Sequence, residues 1–227
     1  MSRLSKKMVR NREKVPKEPT SVAEAVKILK KLEGARFDET VEVALKLAID
    51  PKNSAQLVRG AYSLPHGIGK DVRVIAFAEG DAAAAATEAG AEEVGSEDLA
   101  KKILDGWMDF DVAVAHPSMM RHVGKLGRVL GPHGKMPSPK SGTVTDKVAD
   151  AVRDFKAGKV EFRNDNGGNV HAMVGKKSFD EERLTANCEA FIKHIRTLRP
   201  ASAKGAFLVK GALSSTMSPG IPLSLGG

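Results

Sequence analysis

The chain has 227 residues, of which 41% are hydrophobic, and 36 basic against 28 acidic side chains give it a formal net charge of +8. This composition indicates a soluble globular protein, no apolar run approaches the ~18 residues of a membrane span, and the length favours two domains. The charge is uneven, with a net +7 in residues 1–36 and a net −8 in residues 71–111. This favours nucleic acid or an anionic membrane surface as a partner, without choosing between them.

The first part of the chain has α+β character. A basic arm over residues 1–15 is followed by Ser21 and Glu24, whose spacing forms a capping box ahead of a predicted helix. Strict alternation over residues 41–49 then predicts a strand with one wet face, which is typical of an antiparallel sheet. A second strand is expected over residues 58–64.

The pattern changes beyond residue 67. Apolar runs at residues 72–77 and 111–115 lack alternation, and they are separated by two expected helices, one capped by Asp81 and one opened by Ser96. Strands of this kind, separated by helices, are typical of a parallel sheet covered on both faces.

Alternation returns in the last third. Residues 160–163 and 169–174 flank Asn164-Asp165-Asn166-Gly167-Gly168, which is a hairpin signal because Asn-Gly tolerates positive φ. A long helix over residues 180–198 and a strand over residues 206–213 follow. The tail from Ser218 is expected to be loose.

The fold class is therefore α/β and α+β, in two domains. Residues 1–67 and 160–227 are expected to form a split α+β domain from both chain ends. A three-layer α/β domain of residues 68–159, built on the parallel sheet, is inserted into it. The two crossings near residues 67 and 159 predict a hinge.

A loop over residues 124–142 holds five Gly, three Pro and four Lys or Arg, but no Asp or Glu. Gly and Pro predict a shaped loop, and its charge suits a phosphate-bearing partner, although a solvated surface loop would have the same composition. A Walker phosphate loop is excluded, because Met136 follows Gly134-Lys135 where that motif needs Ser or Thr.

The sequence contains no catalytic constellation. The six histidines lie apart without paired metal spacings, and Cys188, the single cysteine, falls on the apolar face of the long helix as a core residue would. We expect no enzyme activity, no cofactor and no metal, and a cytoplasmic location. The rival hypothesis is a nucleotide-dependent enzyme that uses the parallel sheet and the loop of residues 124–142.

Four groups of residues carry a family resemblance: 126–140 with Gly142-Thr143-Val144; Val58-Arg59-Gly60 with Leu64-Pro65-His66-Gly67; Phe162-Arg163-Asn164-Asp165 with His171; and Ser215-Thr216-Met217. In this order and spacing, from about Lys6 to Met217, the chain closely resembles the bacterial large-subunit ribosomal protein L-one family. The resemblance implies the two-domain arrangement described above. It also implies a protein that binds a folded segment of large-subunit ribosomal RNA, forming the mobile stalk beside the exit site for deacylated tRNA.

The resemblance further implies which residues contact RNA. The terminal domain's ribosomal RNA face would comprise Arg36, Phe37, Thr40, Arg163, Asp165, His171, Ser214, Thr216 and Met217. Arg59, Arg128 and Lys140 are the candidates for facing tRNA. By residue type alone, Phe37 could equally be a core residue and Met217 a gap filler at a strand end.

The implied partners are large-subunit ribosomal RNA, exit-site tRNA and the operon mRNA of the protein itself, whose translation family members commonly repress. The protein would be a monomer within the ribosome and would not bind membranes. A free-standing messenger repressor is the alternative within RNA binding. The chain departs from the family at Ser218, where Gly is usual, at Asn166, where Lys is usual, and at His133, where Arg is usual.

Overall fold

The computed structural model describes residues 5–203 and 205–225. The chain divides into two compact units, a terminal unit of Met1–Gly69 with Val160–Gly227 and an inserted unit of Lys70–Lys159. The described helices are α1 (Lys6–Glu13), α2 (Val22–Lys31), α3 (Asp81–Glu88), α4 (Glu97–Leu104), α5 (Met120–Val123), α6 (Gly127–Leu130), α7 (Val148–Lys156) and α8 (Glu181–Thr197). The described strands are β1 (Thr40–Leu47), β2 (Arg59–Ser63), β3 (Val74–Phe77), β4 (Glu93–Gly95), β5 (Val112–Ala115), β6 (Lys159–Arg163), β7 (Asn169–Lys176), β8 (Leu208–Ser215) and β9 (Ile221–Leu223).

The terminal unit is built on a four-stranded antiparallel sheet in the order β7-β1-β8-β9. The alternation predicted for β1 is confirmed, since Val41, Val43, Leu45 and Leu47 are buried and the residues between them are exposed or half-buried. Helices α2 and α8 pack together and cover the buried face of the sheet. The opposite face carries no helix in the described part of the chain.

Helix α2 begins where the sequence predicts. The Ser21 hydroxyl accepts the Glu24 N–H, and the Glu24 carboxylate accepts the Ser21 N–H, so the predicted capping box is formed. Val26 and Leu29 on the apolar face of the helix are fully buried. Helix α1 is fastened to the segment after α2 by Asn11, whose side chain both donates to and accepts from the Glu33 backbone.

Two expectations for the last third of the chain need correction. The turn at residues 164–168 forms, but β6 pairs with β2 in a separate two-stranded sheet. Beyond β6, Asn164 forms a bridge with Val170, and the Asp165 N–H donates to Asn169 O. The described part of the tail is not loose, because β9 pairs with β8 at the edge of the four-stranded sheet. Proline is tolerated at position 222 because an edge strand can lack one backbone N–H donor.

The inserted unit has the predicted parallel sheet, in the order β4-β3-β5. One face packs on α4, α5 and α6 through a core that includes Phe77, Ile103 and Leu130. The other face packs on α7, whose Val152 and Phe155 are fully buried. The three-layer α/β architecture is therefore confirmed.

Helix starts in the inserted unit differ in detail from the prediction. Asp81 is the first residue of α3 rather than its cap, since Gly80 occupies the cap position with φ 60°. Ser96 occupies the cap position of α4 but makes no side-chain capping bond. The Thr145 hydroxyl accepts the Lys147 N–H, and Lys147 is the residue that precedes α7.

The loop of residues 124–142 forms short helical turns fastened to the core. Leu126 and Leu130 are fully buried, and the Gly131 N–H donates to Gly127 O. A Cβ at position 131 would lie 2.5 Å from that carbonyl oxygen, so the turn requires glycine. Lys135 is not available to a phosphate, because its ammonium donates to the Met108 and Phe110 carbonyls.

Cys188 lies in the core of the terminal unit, as predicted. It is fully buried on α8, and burial raises the pKa of its thiol to about 12. A thiol with such a pKa is neutral and inert under ordinary conditions.

Candidate nucleic-acid interface

The helix-free side of the four-stranded sheet, called here the open face, gathers polar and small side chains in four cross-strand rows. The strand register places Thr40 opposite Lys176, Glu42 beside Met173 and Ser214, Ala44 beside His171 and Ala212, and Lys46 beside Asn169 and Lys210. The rows span ~20 Å along β1. Three residues implied by the family resemblance, Thr40, His171 and Ser214, therefore share one surface.

Two large apolar side chains stand at one end of this face, called the Phe37 end. Phe37 lies in the loop before β1 and is 57% exposed, and Met217 lies just after β8 and is 53% exposed. Neither is a core residue, so the alternative left open by residue type is wrong for both. Arg36 is also exposed in the same loop.

Backbone pairing continues past the strands at the Phe37 end. The Thr40 N–H donates to Thr216 Oγ1 at 3.1 Å, and the Thr216 N–H donates to Thr40 O at 3.1 Å. The Thr40 hydroxyl accepts Lys176 Nζ at 2.9 Å. The turn that carries Met217 is therefore held against the start of β1.

Ser218 closes the same turn. Its hydroxyl accepts the Ser215 N–H at 2.8 Å, and its own N–H donates to Ser215 O at 3.0 Å. Its backbone is not in the left-handed region, since every described residue with positive φ is a glycine. Serine at this position is thus accommodated without backbone strain.

Asp165 lies at the opposite end of the open face, in the turn before β7. Its carboxylate accepts the Gly167 N–H, the Asn169 N–H and the Asn169 side-chain amide at 2.7–2.9 Å. Bonds from the Asn169 side chain and backbone lower the pKa of Asp165. Its visible role is to shape the turn, while Arg163 is exposed on β6, in the separate two-stranded sheet.

Lys46 and Lys210 are two exposed cations of this face that the sequence-based site omitted. They are directly opposed across β1 and β8, both are exposed, and neither forms an ion pair within the described part of the chain. The Lys46 ammonium donates to Gly167 O but, unlike that of the half-buried Lys135, belongs to an exposed side chain. Like charges at opposed positions destabilise a sheet, so a bound anion would relieve this repulsion. The alternation of β1 predicted that Lys46 lies on the solvent-exposed side of the strand. Its position opposite Lys210 depends on the register between β1 and β8, which the sequence does not specify.

Both cations border a shallow depression of ≈ 350 Å³, which His171 also lines. The open face thus offers a recess flanked by positive charge. Such a surface suits a phosphate backbone lying across the strands.

Glu39 is buried beneath the Phe37 end. Burial raises the pKa of this carboxyl, but hydrogen bonds from Ser215 and Ala35 and the charge of Lys177 outweigh burial, so the net pKa lies below its ordinary value. A group whose pKa is lowered by folding stabilises the fold above its unfolded-state pKa. That contribution is lost as the pH falls through the lower folded-state pKa.

The candidates for tRNA contact lie in both units. Arg59 begins β2 in the terminal unit, whereas Arg128 on α6 and Lys140 belong to the inserted unit. All three are exposed, and none of them forms an ion pair with a described residue.

Residues 5–203 and 205–225 contain no group of three or more His, Cys, Asp or Glu side chains that could hold a metal ion. None of their helices is long and apolar enough to cross a membrane.

Known proteins match nearly the whole length of the chain. The profile of the Ribosomal protein L1p/L10e family matches residues 29–219. The chain is 51% identical over 226 residues to large ribosomal subunit protein uL1 of Alkalilimnicola ehrlichii, covering 99% of this chain and 98% of that protein. It is 52% identical over 224 residues to the protein of the same name from Teredinibacter turnerae (98% and 97% covered), and 52% identical over 203 residues to that from Kosmotoga olearia (89% and 88% covered).

Proposed function

Because the chain belongs to the ribosomal protein L1p/L10e family, we propose that its terminal unit binds large-subunit ribosomal RNA through the open face. It is a structural constituent of the large ribosomal subunit and not an enzyme, since its relatives are structural ribosomal proteins. It therefore works at the cytoplasmic ribosome. The observation that carries the RNA proposal is the exposure of Phe37 and Met217 at one end of a face that bears the exposed lysines Lys46 and Lys210.

The chemistry of this surface matches folded RNA. Structured RNA is recognised largely by its shape, its ribose hydroxyls and its phosphates, with unstacked bases lying on apolar side chains. Lys46 and Lys210 would contact phosphates, Ser214 would hydrogen-bond ribose, and Phe37 and Met217 would lie on sugar or base faces. Arg36, Thr40, Arg163, Asp165, His171 and Thr216 complete the proposed surface.

We propose a different role for the inserted domain. Residues 1–67 and 160–227 would hold the ribosomal RNA, while residues 68–159 would move about the two crossings as part of the stalk. Arg128 and Lys140, with Arg59 of the terminal unit, would face exit-site tRNA, and the movement would let deacylated tRNA leave. The exposure of these cations supports this role, as does their lack of ion pairs with described residues.

The same open face would serve in autoregulation. An operon mRNA that folds like the ribosomal segment would bind the same residues, so that unassembled protein represses its own synthesis. The protein would act as a monomer in both settings, because one face of one chain supplies the whole contact.

Co-sedimentation separates the ribosomal function from that of a free-standing messenger repressor. Large subunits depleted of this protein should carry it down in equimolar amount at physiological salt, and excess stalk RNA should keep it in the supernatant. A protein that stays in the supernatant while binding its mRNA would be a repressor alone.

Replacing Lys46 or Lys210 by alanine should reduce the salt dependence of stalk RNA binding. Each phosphate contact contributes about one unit to the slope of log affinity against log salt concentration, so each variant should lower that slope by about one. Titrations at several salt concentrations measure it. Lys193, exposed on α8 and away from the open face, is the matched control, and an equal fall for Lys193→Ala would contradict the assignment.

A further inference from the structure

The loops that carry Phe37 and Met217 are joined from below by one side chain. Glu39 is 1% exposed, and the Ala35 N–H donates to its Oε1 while the Ser215 hydroxyl donates to its Oε2. The Met217 N–H lies near enough to this carboxylate to help lower its pKa. A single buried anion therefore links the backbone on the N-terminal side of Phe37 to Ser215, the last residue of β8, which lies two positions before Met217.

We propose that Glu39 is a positioning residue for RNA recognition, holding Phe37 and Met217 in a fixed relation to each other. The inference rests on the proposed RNA-binding function of the open face. Glu39 is buried and would not contact RNA. It would act through the two loops that it joins.

The physical reason lies in the hydrogen-bonding capacity of a carboxylate. Two oxygens offer about four acceptor sites, and bonds to an ionised acceptor are roughly twice as strong as neutral ones. A buried anion is costly unless such bonds are made, so the surrounding loops are constrained to supply their donors. A neutral glutamine has one accepting oxygen in place of two, so it could not accept from the Ala35 N–H and the Ser215 hydroxyl through separate oxygens.

Further contacts hold the Phe37 loop around this carboxylate. The Asp38 carboxylate accepts the Ser178 N–H at 3.0 Å and the Ser178 hydroxyl at 2.7 Å. Lys177 donates through Nζ to Leu32 O at 2.8 Å, and its charge favours the ionised form of Glu39. If these loops were flexible, ordering Phe37 and Met217 on RNA binding would cost conformational entropy and weaken the affinity. Because the hydrogen-bond network already orders the loops in the free protein, that entropy is not lost on binding.

The testing variant is Glu39→Gln, which keeps the shape of the side chain and removes one acceptor. The amide is uncharged and accepts through one terminal atom alone, so it cannot keep both the acceptor contacts to Ala35 and Ser215 and the attraction of Lys177. We expect the affinity for the stalk segment of large-subunit ribosomal RNA to fall about 10-fold, while affinity for an unrelated RNA duplex stays unchanged. Both are measured by titration at physiological salt, at a temperature where circular dichroism shows the variant fully folded.

Asn187→Asp is the matched control for lost stability. Asn187 is equally buried in the terminal unit, and its side chain binds the His66 N–H and the Gly67 and Val174 carbonyls rather than the RNA-facing loops. The aspartate is also a one-atom change that breaks buried hydrogen bonds. A positioning role predicts that Asn187→Asp, once folded, binds the stalk RNA like the unmodified protein.

A double-mutant cycle tests whether Glu39 affects RNA affinity through Phe37 and Met217. In a Phe37→Ala/Met217→Ala background, Glu39→Gln should change stalk RNA affinity less than about 2-fold, because the side chains that it positions are gone. Failure of the unmodified protein to discriminate between the two RNAs would overturn the proposed function itself. If the unmodified protein does discriminate, two results would show that the positioning role is wrong while the proposed function stands. Glu39→Gln could lose no more stalk RNA affinity than Asn187→Asp, or it could lose as much affinity in the Phe37→Ala/Met217→Ala background as in the unmodified protein.

Discussion

Replacing Phe37 or Met217 by alanine is expected to weaken binding to the stalk RNA segment by ~1–3 kcal/mol for each change, the range for loss of a stacking contact with a base. Both side chains are more than half exposed, so truncating them removes little packing within the protein. Their loss should therefore appear in specific RNA affinity and not in the free energy of unfolding. Titration and urea unfolding of the same preparations measure the two quantities.

A matched control exists for this pair. Leu104 on α4 is 53% exposed, like Met217, but belongs to the inserted unit. Leu104→Ala should leave stalk RNA affinity within 2-fold of that of the unmodified protein. Equal losses on stalk RNA and on an unrelated RNA would show that Phe37 and Met217 do not provide specificity.

Phe191→Ala is expected to destabilise the terminal unit by ~3–5 kcal/mol, because it opens a cavity in a fully packed core. Phe191 is fully buried on α8, and its ring meets that of Phe162 edge-on at 5.4 Å. If the two units fold as separate domains, as we propose, the inserted unit should keep its own transition.

The single tryptophan allows the unfolding of the inserted unit to be measured separately. Trp107 packs against the core of the inserted unit, so its fluorescence reports that unit, whereas far-ultraviolet circular dichroism reports both. For Phe191→Ala, the dichroism should show an earlier transition in urea while the fluorescence midpoint stays in place. Phe155→Ala, in the core of the inserted unit, should move the fluorescence midpoint. Equal movement of both signals in both variants would contradict independent domains.

Most helices and strands of this fold could be predicted from local sequence patterns. The Ser21 and Glu24 pair predicted the start of α2, and the alternation of residues 41–49 predicted β1 and its buried face. Strand β9 was missed because three residues are too short for periodicity and because Pro222 argues against a strand. The pairing of β6 with β2 was missed because a turn signal specifies only the turn and not which strands pair beyond it.

The candidate site was less predictable, because its geometry depends on long-range contacts. The exposure of Phe37 follows from a loop fastened by Glu39 to Ser215, which is 176 positions away along the chain. The opposition of Lys46 and Lys210 likewise depends on strand register. Residue type alone placed Lys135 among the loop cations, although its ammonium binds two carbonyl groups in the fold.

The most direct test of the RNA-binding account is a competition titration. The protein is bound to the stalk segment of large-subunit ribosomal RNA at physiological salt, and an unrelated RNA duplex is added in increasing excess. Recognition through the open face predicts a complex that persists in a large excess of competitor. Equal and weak binding of both RNAs would contradict it, because the +8 charge would then account for the attraction without any specific surface.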